Sequence, residues 1–82
     1  MRILFCDDDE RILEQLQKYV GEFFSDIGGM KPEFAAYSSG DSLLENETTA
    51  DIAFFDVEMH GRSGIKAGAI LKERNPRVII FI

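Results

Sequence analysis

Residues 52–64 read IAFFDVEMHGRSG, an apolar run that ends on Asp56 and continues into a loop with two glycines. A short apolar run bounded by turn residues is typical of a strand buried on both faces, as in parallel sheets. Residues 2–8 read RILFCDD and repeat this pattern, because the apolar run ends on the pair Asp7 and Asp8. Two predicted strands therefore each end on carboxylates.

The rest of the chain alternates between helical and strand patterns. Apolar residues recur at helical spacing from Ile12 to Ile27, with Asp9 as a predicted N-cap and Gly28 as a stop signal. Strands are predicted at 2–6, 33–37, 52–55 and 78–82, and helices at 10–27, at 41–47 and from 65 to the residues before Pro76.

This alternation predicts an α/β fold, with a parallel sheet that is covered by helices on both faces. We expect a single domain over residues 1–82 and no second domain. In such sheets, ligands bind outside the carboxyl ends of the strands, where the strand order reverses. If the two acid-ended strands are neighbours, Asp7, Asp8 and Asp56 converge at that edge.

Composition limits the partners and the compartment. A net charge of -6 argues against nucleic-acid or anionic-membrane binding by this segment, since both need clustered Lys and Arg. The single cysteine, Cys6, cannot form an internal disulfide, which is typical of a reducing compartment. No apolar stretch approaches the roughly 18 residues of a membrane helix. These features predict a cytoplasmic protein.

Three carboxylates held close together repel one another, so a compensating cation is expected. Their hard oxygen ligands suit Mg²⁺ better than zinc or copper. Beside such an ion, an aspartate can attack phosphorus and form an acyl phosphate. The competing interpretation is that aspartates after strands are turn or cap residues, and Asp9 fits that interpretation best.

The motifs ILFCDDD at 3–9 and FFDVEMHGRSG at 54–64, with the element order of the whole chain, resemble the receiver domain of bacterial response regulators in two-component systems. The resemblance implies a flavodoxin-like doubly wound sheet with strand order 2-1-3-4 and about three helices. It also implies a phosphoryl group donated by a sensor histidine kinase, and a domain truncated after the fourth strand.

The resemblance assigns roles position by position. Asp56 matches the phosphoacceptor, Asp8 the direct Mg²⁺ ligand, and Asp7 the ligand that usually acts through water. Glu58 matches the position whose backbone carbonyl binds the metal. Such a domain is not an enzyme beyond its own phosphorylation and dephosphorylation. Residues 6–8 and 56–59 are most similar to regulators with a LytTR-type DNA-binding output, so we expect a transcriptional output domain absent from this chain.

The chain departs from the family pattern in its loop and at its end. His60 stands where the family usually has proline, and we expect it to be solvated rather than a ligand. The family's Ser or Thr would fall just past Ile82, and its Lys further on. The apolar strand Val78–Ile82 would then lie at an exposed edge, which predicts self-association, for example as a dimer.

Two other functions remain open. A phosphatase of the haloacid dehalogenase type also uses a strand-terminal aspartate with Mg²⁺, but its Asp-x-Asp motif continues with Thr or Val. Here Asp7-Asp8-Asp9 is followed by charged residues, and Asp56-Val57-Glu58 lacks the second aspartate. The other alternative is a docking or dimerisation fragment that works without phosphorylation.

Overall fold

The computed structural model describes residues 1–82 and contains four strands that alternate with three helices. Its elements are β1 (Arg2–Cys6), α1 (Glu10–Ile27), β2 (Glu33–Tyr37), α2 (Gly40–Asn46), β3 (Ile52–Phe55), α3 (Gly64–Arg74) and β4 (Ile79–Phe81). All neighbouring strands are parallel, and the sheet order is β2-β1-β3-β4. The predicted fold class and strand order are confirmed.

Side chains of the central strand β1 alternate between two cores. Ile3 and Phe5 pack with Leu13 and Phe24 of α1 on one face of the sheet. The other face carries the larger core, in which β1 and β3 meet α2 and α3; its members are Leu4, Cys6, Leu43, Leu44, Ala50, Ala53, Phe55, Ala67, Leu71 and Val78. Burial on both faces explains why β1 has no polar position between Arg2 and Asp7.

Helix starts are set by local capping. The Asp9 carboxylate accepts a hydrogen bond from the Arg11 backbone N–H at 2.9 Å, as its predicted capping role requires. Ser39 and Ser63 cap α2 and α3 in the same way. At the far end of α1, Gly28 adopts a φ of 70°, a left-handed conformation that glycine reaches without a Cβ penalty.

Three predicted elements have wrong bounds. The second helix is Gly40–Asn46 rather than 41–47, because the Ser39 cap places the first turn one residue earlier and Glu47 is the C-cap. The third helix begins at Gly64 rather than at residue 65, because Ser63 is its N-cap. The last strand is Ile79–Phe81 rather than Val78–Ile82. Val78 is completely buried, and its N–H donates to the Asn75 carbonyl at 3.0 Å, so this residue closes the turn after α3.

A buried carboxylate joins three elements at the amino end of the sheet. Glu47, 6% exposed, accepts hydrogen bonds from Arg2 Nε at 2.7 Å and Arg2 Nη2 at 2.6 Å, and also from the Tyr37 hydroxyl. The Arg2 guanidinium is the main reason that the pKa of Glu47 lies below its usual value. This buried charge is therefore fully paired within the protein.

None of the helices is both long and apolar enough to span a membrane.

Replacement of Gly64 by alanine should destabilise the fold. A Cβ there would lie 1.9 Å from the Asp56 carbonyl oxygen and 3.1 Å from Phe55 Cβ, so α3 would have to move away from β3. We expect Gly64→Ala to lower the free energy of unfolding in urea, followed by circular dichroism, by about 1–3 kcal/mol.

Gly21→Ala provides the matched control. It lies inside α1, and its Cβ would make an ordinary 3.6 Å contact with Phe34. It should raise stability by about 0.5–1 kcal/mol, since alanine favours helix. If Gly64→Ala is as stable as the wild type, the close packing of α3 on β3 is wrong.

Candidate functional site

The parallel pairing of β1 with β3 positions the carboxylates. Cys6 lies opposite Phe55, and the Asp56 N–H donates to the Cys6 carbonyl at 3.0 Å. On the other side of β1, the Asp7 N–H donates to the Tyr37 carbonyl at 3.1 Å. Backbone hydrogen bonds therefore continue the sheet one residue past the strands and hold the Cα atoms of both aspartates.

The structure brings together the three predicted carboxylates. Ligand oxygens of Asp7, Asp8 and Asp56 all lie within 4.8 Å of one another at the carboxyl edge of the sheet. Asp7 is 8% exposed, Asp56 is half-buried and Asp8 is exposed. The fourth acid of this region, Asp9, faces Arg11 as a cap.

Electrostatic repulsion within the cluster shows at Asp7. Burial raises the pKa of this carboxyl, and the nearby Asp56 and Asp8 carboxylates raise it further. A hydrogen bond of 2.9 Å from the Asp9 N–H to Asp7 Oδ1 opposes that rise. No basic side chain of the protein neutralises Asp7, so the cluster suits a cation from solution. Three hard oxygen donors fit Mg²⁺.

The loop between β3 and α3, residues 56–63, passes beside the cluster. Met59 contacts the end of β1, with its Sδ 3.5 Å from Cys6 Sγ. Gly61 turns the loop at a φ of 81°, and the Gly64 N–H donates to the Val57 carbonyl at 3.3 Å to close it. The loop is thus fixed at both ends and at Met59.

Cys6 lies next to the carboxylates but is unsuited to nucleophilic chemistry. It is 1% exposed, and burial together with the neighbouring aspartates raises its pKa to about 12. The thiolate, which is the reactive form, is therefore scarce at neutral pH. Cys6 is therefore a packing residue of the core rather than a nucleophile.

The sequence did not reveal the contact between His60 and Asp8. Its side chain is fully exposed, as expected, yet its Nδ1 lies 3.1 Å from Asp8 Oδ2, and its backbone N–H donates to the same oxygen at 3.3 Å. Glu58 is exposed, and its carboxylate is not part of the cluster. The metal role of the Glu58 carbonyl stays a prediction.

A cavity of about 270 Å³ opens beside the carboxylates. Its lining is mostly apolar and consists of Cys6, Asp7, Leu16, Phe54, Phe55, Asp56, Phe81 and Ile82. Asp7 and Asp56 are the charged residues of this lining. A small group that enters the cavity would therefore contact these carboxylates and the apolar side chains beside them. Low polarity near the carboxylates strengthens their interaction with any cation or phosphoryl group.

No family model and no curated protein sequence matches the chain. Solved structures do match. The response regulator TrrA of Thermotoga maritima in complex with Mg²⁺-BeF has a TM-score of 0.79 at 25% identity, covering 96% of this chain and 64% of its own. A structure of the histidine kinase ThkA with TrrA gives 0.76 at 25% identity over the same shares. A BeF3-activated DrrB receiver domain gives 0.80 at 20% identity, over 96% and 61%.

The chain therefore spans a little under two thirds of the length of these neighbours, with 61% and 64% coverage. Within that span, the matches cover 96% of the present chain, with TM-scores of 0.80 and 0.79. The resemblance read from the two acidic motifs is confirmed, and the chain has the fold of a response-regulator receiver domain over its four strands.

Proposed function

We propose that this chain is the receiver part of a two-component response regulator, and that Asp56 accepts a phosphoryl group from a sensor histidine kinase. The observation that carries the proposal is the convergence of Asp7, Asp8 and Asp56 within 4.8 Å at the carboxyl edge of the sheet. Neighbours solved with Mg²⁺-BeF and with a histidine kinase support it.

Asp56 is the proposed nucleophile because it ends β3 in a fixed backbone position and borders the cavity. A carboxylate oxygen attacks phosphorus, the new O–P bond forms, and the N–P bond to the kinase imidazole breaks. The imidazole leaves with the electron pair and takes up a proton. Water later hydrolyses the acyl phosphate and restores Asp56, so the chain acts as a phosphoacceptor rather than an enzyme with its own substrate.

The metal is proposed to be Mg²⁺, held directly by Asp8 and Asp56, through water by Asp7, and by the backbone carbonyl of Glu58. When bound, Mg²⁺ supplies positive charge that offsets the carboxylates and the incoming phosphoryl oxygens. The protein contributes the spacing of the oxygens and a buried Asp7 that has no cationic partner of its own.

The output is proposed to be transcriptional, through a LytTR-type DNA-binding module elsewhere in the protein. The segment itself carries a net charge of -6, which suits a regulatory domain better than a DNA-contacting one. A cytoplasmic location is proposed because Cys6 is free and buried.

Replacement of Asp7 by asparagine should stabilise the metal-free protein and remove its response to Mg²⁺. The raised pKa of Asp7 means that its ionised form is disfavoured in the folded state, so a neutral amide relieves repulsion at neutral pH. The amide oxygen can still accept the Asp9 N–H. We expect the melting temperature without metal to rise, and the further rise on adding Mg²⁺ to shrink strongly.

Glu14→Gln removes the same charge from an exposed position on α1 and serves as the control. It should leave the Mg²⁺-dependent increase in melting temperature unchanged. An equal response to Mg²⁺ in Asp7→Asn and the wild type would exclude Asp7 from the metal site.

Incubation with acetyl phosphate and Mg²⁺ should add one phosphoryl group to the chain, detected by intact-mass spectrometry. The adduct should disappear in Asp56→Asn and when EDTA removes the metal. Asp41→Asn should retain it, because Asp41 pairs with Arg62 outside the cluster. An unchanged adduct in Asp56→Asn would place the phosphoryl group on another residue and contradict the role of Asp56. No adduct in the wild type would favour the docking fragment that works without phosphorylation.

Self-association through the last strand is also proposed. The outer edge of β4 has no neighbouring strand, and Ile79, Phe81 and Ile82 are 53%, 50% and 59% exposed. An unpaired strand edge with apolar side chains is a template for pairing with another chain. Val78 is buried, so the associating segment is Ile79–Ile82.

Sedimentation equilibrium of the 82-residue chain should show a concentration-dependent dimer. Ile79→Lys should weaken the dimer, since a lysine on an edge strand disfavours pairing. Ile27→Lys changes an equally exposed apolar residue at the end of α1 and should leave dimerisation intact. A monomer at all concentrations, or equal weakening by both variants, would rule out association through β4.

A further inference from the structure

Asp8 depends on a single residue for its orientation. The Asp7 carboxylate accepts a hydrogen bond from the Asp9 N–H. The backbone of Asp56 is held at the end of the sheet, because its N–H donates to the Cys6 carbonyl. The Asp8 carboxylate, by contrast, contacts only His60: it accepts a hydrogen bond from the His60 backbone N–H at 3.3 Å, and the His60 Nδ1 lies 3.1 Å from the same oxygen.

Two nitrogens of His60, the backbone N and Nδ1, approach the same oxygen, Asp8 Oδ2. The other oxygen, Oδ1, has no hydrogen-bonding partner in the protein. A carboxylate held in this way presents one oxygen to the protein and one to a ligand. Partners that orient a metal ligand in this manner commonly change metal affinity by about 10–100-fold when they are removed.

The position of His60 is set by its neighbours in the loop. Met59 packs against Cys6 with its sulfur at 3.5 Å, which holds the loop against the end of β1. Gly61 turns the backbone immediately afterwards at a φ of 81°. The backbone N–H of His60 is therefore directed at Asp8 without loss of side-chain entropy, and the imidazole Nδ1 makes a second contact with the same oxygen.

An exposed ion pair alone is commonly worth about 0–1 kcal/mol, so the imidazole contact by itself is weak evidence for a role. Two features separate His60 from that case. Both contacts converge on one oxygen of a residue in the carboxylate cluster, and one of them comes from the backbone of a loop that is fixed on either side.

We infer that His60 is a positioning residue for the divalent cation: it holds Asp8 Oδ2, so that Oδ1 is available to the metal. This inference rests on the proposed function, since it needs the Asp7, Asp8 and Asp56 cluster to bind a cation. It agrees with the expectation that His60 is solvated and not itself a ligand, since His60 contacts Asp8 rather than the metal.

The experiment is a calorimetric titration of Mg²⁺ into the 82-residue chain, at one fixed pH for all variants. His60→Ala removes the imidazole and retains the N–H, whereas His60→Pro removes both. His60→Asn restores a side-chain donor at the same number of bonds from the backbone. Arg62→Ala changes the same loop at a residue that pairs with Asp41, outside the cluster.

We expect the dissociation constant for Mg²⁺ to rise about 10-fold in His60→Ala. It should rise further in His60→Pro and stay close to the wild-type value in His60→Asn and Arg62→Ala. Melting curves without Mg²⁺ establish that each variant is folded. Rescue by asparagine separates positioning from a general effect on loop structure.

The outcomes distinguish the two claims. If the wild type binds Mg²⁺ and His60→Ala binds it equally well, the inference about His60 is wrong and the proposed metal site stands. If asparagine fails to restore the affinity lost in alanine, hydrogen bonding to Asp8 is not the cause and the inference is again wrong. If the wild type does not bind Mg²⁺, the proposed metal site and this inference fail together.

Discussion

The parallel, in-register pairing of β1 with β3 is the constraint on which the site depends. Cys6 lies opposite Phe55, and the hydrogen bond of 3.0 Å from the Asp56 N–H to the Cys6 carbonyl extends the ladder to the first residue of the loop. A slip of one residue would turn the buried side chains of β3 to the opposite faces, so the core itself enforces this register. The packing of the hydrophobic core thereby sets the distance between the carboxylates.

Buried carboxylates lie near both ends of β1, but their partners and the directions of their pKa shifts differ. At its start, Glu47 is paired by Arg2 and Tyr37, and the pKa of Glu47 is lowered. At its end, the pKa of Asp7 is raised, because burial and two nearby carboxylates act without a basic side chain to offset them. Glu47 is thus a structural charge, whereas Asp7 has no partner within the protein to offset its charge and is where the proposed Mg²⁺ would bind.

The sequence was sufficient to predict the elements and the three carboxylates, because both follow from patterns along the chain. Apolar runs that end on Asp7 and Asp56 define the strands and the residues that follow them. The contact between His60 and Asp8 was not predictable in this way. It depends on the Gly61 turn and on the packing of Met59 against Cys6, which are tertiary features without periodicity. Val78 was misassigned because buried turn residues and strand residues are equally apolar.

The proposal that Asp7, Asp8 and Asp56 bind a divalent cation can be tested by locating such an ion in the folded chain. Mn²⁺, which is paramagnetic and favours similar oxygen ligands, can be titrated at low ratios into ¹⁵N-labelled protein while amide signals are followed by NMR. We expect selective broadening of the amides of residues 6–9 and 55–60, at the ends of β1 and β3. Broadening centred on other acids, such as Glu22 and Asp26 of α1, or no selective broadening at all, would contradict it.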